Sequence, residues 1–182
     1  MRLFTGIELP AQITSTLEGL LAQLRPAAHL KWSPVYNLHI TLKFIGEWPG
    51  ERLDEVKTAL AGMPRRGPAP IEVRGLSWMP NPRHPRLFWA TINAPALTAV
   101  AADMEAALQP LGIAKEDRAY TPHLTLARVR MPTPLGKVQT AIAQLQSVDF
   151  GSFTADRFWL YLSEPGAANT IYTKLAEFPF GA

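Results

Sequence analysis

The chain of 182 residues is close to one domain in length, and with 47% hydrophobic against 18% charged residues it has the apolar content to fold alone. It holds no cysteine, which excludes disulfides, a thiolate nucleophile and any cysteine-ligated zinc or iron–sulfur site. A net charge of +3 suits an anionic ligand without demanding one. With neither a secretory h-region nor an uncharged apolar run of about 18 residues, a soluble cytoplasmic protein without membrane contact is expected.

In chain order, "RLFTGIEL" (2–9) alternates like a strand buried on both faces. Pro10 then suits the first turn of a helix carrying Ile13, Leu17, Leu20, Leu21 and Leu24 at the 3.6-residue period, until Pro26 ends the pattern. A short extended piece, "HLKW" (29–32), precedes a strand at 38–45. A second helix is expected over 49–63, with acids in its first turn and Leu53, Val56, Leu60 and Met63 on one face. After a Pro/Gly loop come a strand at 71–79 and the stiff basic loop "PNPRHPR" (80–86), which reads as a clamp for an RNA backbone or as a plain connector.

A strand at 86–93 then opens with the same Arg-Leu-Phe as the chain itself. The offset of 84 that sets Arg2 on Arg86 also sets Leu24 on Leu108, Pro26 on Pro110, His39 on His123, Thr41 on Thr125 and Leu42 on Leu126, without a gap. The following helix (Leu97, Val100, Ala101, Met104, Leu108) matches the first, and a second histidine strand follows at 123–129. Pro134 starts another helix, and two strands at 153–164 and 170–178 close the chain across a glycine-containing turn. The order is that of an α+β protein with antiparallel or mixed sheets. A single bilobal domain spanning 1–182 is expected, built by an internal duplication that lays about 2–48 on 86–132, with pseudo-twofold lobes, helices outside and a central cleft. A doubly wound parallel sheet is the competing architecture, but the glycine-rich nucleotide turn is absent after both residue 9 and residue 93.

"NLHITLKFIG" (37–46) and "PHLTLARV" (122–129) both place a histidine and a threonine on alternate positions of a strand. In the first, His39, Thr41 and Lys43 share one face, and Ile40, Leu42 and Phe44 share the core face. Half-exposed strands often carry a stray histidine. Here, however, two of the four histidines in the chain (29, 39, 84 and 123) are equivalent, and the same threonine and leucine follow each. His29 and His84 have no counterpart and read as incidental.

A metal chelate on a strand wants ligands at i and i+2, where both motifs have threonine. A hydroxyl nucleophile wants a base oriented by a third group, and no carboxylate recurs beside both motifs. Proton transfer across a phosphate fits both motifs. In-line displacement needs one group to take a proton and a facing group to give one, and imidazole does either near neutral pH. The threonine hydroxyls can donate to non-bridging phosphate oxygens.

The paired His-x-Thr motifs, together with "RLFTGIELP", "RLFWATI", "RAYTPHLTLARV" and the closing "LYLSE" and "IYTKLAEF", resemble the 2H phosphoesterase superfamily. Within it they resemble the bacterial and archaeal RNA 2′,3′-cyclic phosphodiesterases, also called 2′-5′ RNA ligases. The resemblance covers nearly the whole chain. It implies two lobes about a cleft, no metal or other cofactor, and hydrolysis of terminal 2′,3′-cyclic phosphates to 2′-phosphomonoesters, with a weaker reversible 2′-5′ joining of RNA ends. His39 would be the proton donor and His123 the acceptor, although the duplication leaves the two interchangeable on sequence. Arg128 matches a family arginine for phosphate, yet its parity opposes His123, so it would act from the strand's end. Tyr120 is the candidate for base stacking, Phe44 and Trp89 are assigned to the core, and Lys43 is a solvated or steering charge. The expected partners are RNA ends or related nucleotides, met by a monomer. Two other readings stand: a nucleotide-binding module using the same cleft without turnover, and a structural RNA binder indifferent to histidine loss.

Overall fold

The computed structural model describes residues 1–181. The strands are β1 (Arg2–Glu8), β2 (Lys31–Trp32), β3 (His39–Glu47), β4 (Ala69–Met79), β5 (Leu87–Asn93), β6 (His123–Arg128), β7 (Asp149–Ala155), β8 (Arg157–Glu164) and β9 (Ile171–Pro179). The helices are α1 (Ala11–Leu24), α2 (Leu53–Ala61), α3 (Ala96–Leu108) and α4 (Gly136–Ala143). Two sheets form, in the orders β3-β1-β8-β9 and β2-β6-β5-β4-β7, and every neighbouring pair is antiparallel. The fold is therefore α+β, and the doubly wound parallel alternative is eliminated.

The 153–164 segment is not one strand. It is the end of β7 and the whole of β8, parted at Asp156, and the chain changes sheets there: β7 pairs with β4, whereas β8 pairs with β1 and β9. No glycine or proline marks the join. The expected helix at 49–63 also shortens, because residues 50–52 form a 3-10 turn ahead of α2.

The helices are exchanged between the sheets. α1 follows β1 of the four-stranded sheet but, with α4 beside it, lies on β7 of the five-stranded one; α3 follows β5 and, with α2 beside it, lies against β3. The approach of α1 depends on Gly151, whose φ is +110° and where a Cβ would stand 2.7 Å from Ile13 Cδ1. The buried faces Ile13, Leu17, Leu20, Leu21, Leu24 and Leu97, Val100, Ala101, Met104, Leu108 are those the periodicity selects, and all but Ala101 join one continuous apolar core. With each buried leucine worth roughly 1.5–3 kcal/mol of transfer free energy, neither sheet is covered without the helix from the other half. Helices do lie outside the sheets, but the halves interlock.

β3 and β6 run beside one another where the sheets meet, and both are bulged at the same place. Opposite β3, Gly6 pairs with Thr41 and Thr5 with Lys43, leaving Leu42 extra. Opposite β6, Trp89 pairs with Thr125 and Phe88 with Ala127, leaving Leu126 extra. An extra residue reverses the alternation beyond it. So Leu42 and Lys43 are both buried, as are Leu126 and Ala127, while residues 44 and 128 return to the side of the histidines.

This corrects three assignments. Lys43 does not share the face of His39: it points inward, 2% exposed, where its ammonium meets Glu105 Oε1 at 3.0 Å and donates to the Ala114 carbonyl at 2.8 Å. Phe44 is not in the core but 55% exposed. Arg128, its counterpart at an offset of 84, faces the same way as His123.

Candidate active site

His39, Thr41 and Phe44 of β3 and His123, Thr125 and Arg128 of β6 line one cleft of about 640 Å³ where the two sheets meet. Arg2, Lys31 and Arg130 complete its charged lining, which contains four cationic side chains and no carboxylate. An anionic ligand is favoured there far more than the net charge of the chain suggests.

The two imidazoles are held alike. Nδ1 of His39 lies 2.7 Å from the Asn37 carbonyl and Nδ1 of His123 lies 2.9 Å from the Thr121 carbonyl, in each case two residues upstream. A carbonyl only accepts, so Nδ1 carries the hydrogen in both rings and Nε2 is the nitrogen left to exchange a proton. Nε2 of His39 lies 3.1 Å from the Thr41 hydroxyl, accepting from it when the ring is neutral and donating to it when the ring is protonated.

Aromatic rings set the tilt of each imidazole. The His39 ring sits 4.8 Å from Phe4 and edge-on to Tyr172 at 5.1 Å, while Trp89 lies flat on His123 at 3.7 Å and 11°. Gly6 is needed beside His39, since a Cβ there would come within 3.0 Å of the Ile40 carbonyl and 3.4 Å of the His39 ring. Both histidines have pKa values below the ordinary one. Desolvation is the main cause in each, opposed by the carbonyl hydrogen bond; Arg128 adds repulsion to both, and His123 adds it to His39.

The halves also hold one another's threonines. The Tyr120 hydroxyl donates to the Thr41 carbonyl at 3.0 Å, and the Ser33 hydroxyl donates to the Thr125 carbonyl at 2.8 Å. Each contact runs from one half of the sequence to the motif strand of the other. Tyr120 is thus not the base platform expected of it. Its ring packs against the core, and burial raises its hydroxyl pKa well above the usual value. Tyr120→Phe should cost about 1 kcal/mol in a urea unfolding curve, the usual worth of one hydrogen bond, and should lower kcat more than it raises KM.

The sequence-derived residues His39, Thr41, His123, Thr125 and Arg128 all line the cleft, and Tyr120 stands behind it. Sequence reasoning missed Trp89, Phe44, Arg130 and Arg2. Trp89 was recoverable, because it shares parity with Leu87 and Thr91 on the strand face turned from buried Phe88 and Ala90. His29, His84 and the 80–86 loop line no part of the cleft. Among the described residues, no three His, Asp or Glu side chains cluster as a metal site would require, and no helix is long and apolar enough to cross a membrane.

A family model described as LigT like Phosphoesterase matches residues 7–89 and again 92–172. An RNA 2′,3′-cyclic phosphodiesterase of Methanocaldococcus jannaschii is 31% identical over 97% of this chain and 99% of its own length. One of Thermus thermophilus, under the same name, is 31% identical over 98% of this chain and 89% of its own. A crystal structure of a Thermus thermophilus protein superposes with a TM-score of 0.83 at 30% identity, covering 99% of this chain and 98% of that one. With the same antiparallel two-sheet fold and a family match over both halves, the chain belongs to the LigT-like phosphoesterases of the 2H superfamily.

Proposed function

We propose that this protein opens RNA 2′,3′-cyclic phosphate ends to 2′-phosphomonoesters, with the two histidines as its acid and base. The observation that carries the reading is the matched pair of imidazoles, each locked by an upstream carbonyl with Nε2 as its working nitrogen, lining one cleft without a carboxylate. The names of the relatives supply the substrate class.

The step balances on these groups alone. A water oxygen attacks phosphorus, and its proton passes to Nε2 of His123. On the opposite side the P–O3′ bond breaks, and O3′ takes the proton of Nε2 of His39, leaving a 2′-phosphate and a 3′-hydroxyl. Thr41 and Thr125 donate to the non-bridging oxygens as their charge grows, and Arg128 offers a guanidinium to the same phosphate. If the 5′-hydroxyl of a second RNA replaces water, the same transfers join the ends 2′-5′. We further propose that the site arose by duplication: Leu24 and Leu108 end α1 and α3, and Pro26 and Pro110 lie in the 3-10 turns after them.

The test is product identity. An oligoribonucleotide ending in a 2′,3′-cyclic phosphate should be opened in EDTA and show a 2′-monoester by phosphorus NMR. Tight nucleotide binding without turnover would instead make the protein a binding module, and a 3′-phosphate product would reverse the proposed leaving group.

A further inference from the structure

The cleft extends well beyond the reacting groups, and its far end is the more basic. β1 shows the direction, for Glu8 pairs with His39 while Arg2 pairs with Glu47 at the other end of β3. Along β6 the cleft-facing order is His123, Thr125, Arg128, and Arg130 follows just past the strand. At about 3.3 Å per residue, the backbone positions of Arg130 and Arg2 lie on the order of 20 Å along the strands from those of the histidines. The Arg2 guanidinium reaches back far enough to act on the Tyr172 hydroxyl beside His39, so the cationic heads flank more than one phosphate position. Arg2 lies on β1 and Arg130 just past the end of β6; both are exposed, and neither has a carboxylate within ion-pair distance among the described residues. Glu47, the nearest acid along the ladder, is engaged by the amino terminus at 3.6 Å.

Unpaired guanidiniums held at the end of a groove repel one another, and a cyclic mononucleotide at the histidine end has no group to relieve that repulsion. A strand of RNA does. We infer that Arg130 and Arg2 form a subsite for backbone phosphates 5′ to the cyclic end, so that the preferred substrate is the terminus of an RNA chain rather than a free cyclic nucleotide. Phe44, exposed on the groove wall between the histidine end and this subsite, presents a face on which a base can stack. This inference rests on the phosphodiesterase reading above and deepens it.

The test compares kcat/KM for a 2′,3′-cyclic mononucleotide with that for an oligoribonucleotide of about ten nucleotides carrying the same cyclic end, over a series of salt concentrations. The wild type should favour the oligonucleotide at least about tenfold at low salt, and the preference should shrink as salt rises. In the double variant Arg2→Ala, Arg130→Ala the oligonucleotide should fall to near the mononucleotide's value, with the salt slope reduced by about 0.7 for each phosphate no longer neutralised. The mononucleotide's own kcat/KM should fall by a much smaller factor than the oligonucleotide's, and a urea unfolding midpoint like that of the wild type shows that the variant is folded. Equal rates on both substrates in the wild type, or equal losses on both in the variant, would overturn the subsite. If the wild type opens neither substrate, the phosphodiesterase reading is what fails. The subsite is then judged by oligonucleotide affinity: a Kd weakened by the double variant retains it, and an unchanged Kd removes it.

Discussion

His39→Ala and His123→Ala should each lower kcat on a cyclic-phosphate RNA end by roughly 10²- to 10⁴-fold, the usual worth of one positioned proton transfer. The double variant should lose less than the product of the two, because either imidazole without the other serves a broken relay. The variants then separate by leaving group. A diester that expels p-nitrophenolate needs no acid, so it should restore most of the rate to His39→Ala and little to His123→Ala. Equal rescue of both would withdraw the assignment of His39 as donor, and undiminished turnover in either variant on the RNA end would withdraw the pair altogether.

The second large effect concerns Lys43, which has no counterpart in the other half, since Ala127 occupies the equivalent place. Its side chain is 1% exposed against 17% for Glu105, and Oε2 of Glu105 has no partner among the described residues. Lys43→Met leaves that largely buried carboxylate without its counter-charge and strips the Ala114 carbonyl of its donor. Because the Glu105 side chain keeps 17% of its surface exposed and the Glu116 N–H still donates to Oε1, the expected loss is about 2–4 kcal/mol, below the full cost of stranding a sealed charge. Replacing Glu105 with Leu in the same chain should recover most of it, because an ion pair exchanged for apolar packing is close to neutral. Urea unfolding of the two variants checks both halves of this prediction. An unchanged midpoint for Lys43→Met would mean that the pair contributes nothing.

The elements divide by what encodes them. α1 and α3 were legible because their five inward residues recur at the helical period and depend only on their own segment. The motif histidines were legible because a strand's period of two puts His39 with Thr41 and His123 with Thr125. What followed each threonine was not. The bulges at Leu42 and Leu126 are set by register against β1 and β5, a long-range property, and "HITLKF" and "HLTLAR" read as unbroken alternation. One extra residue in each strand therefore moved Lys43 into the interior and brought Phe44 and Arg128 to the cleft. The exchange of α1 and α3 between the sheets was equally silent, since an apolar helical face does not say which sheet it covers. The missed join at Asp156 has the same origin: β7 and β8 read alike, and only their partners differ. Tyr120 read as an exposed ring because its hydroxyl's acceptor, the Thr41 carbonyl, belongs to the other half of the chain.

Central to the proposed mechanism is a pair of imidazoles in opposite protonation states, His39 giving its proton to O3′ while His123 takes another from water. The pH dependence of kcat/KM, measured in EDTA on a cyclic-phosphate substrate, tests it most directly because it reports the free enzyme's acid and base. At low pH the accepting histidine is protonated and cannot take the proton of water; at high pH the donating one has lost its own. Both pKa values are pulled below the ordinary 6.5 by desolvation, so the predicted profile is a bell whose centre lies on the acid side of that value. A flat profile, or one with a single limb, would contradict it.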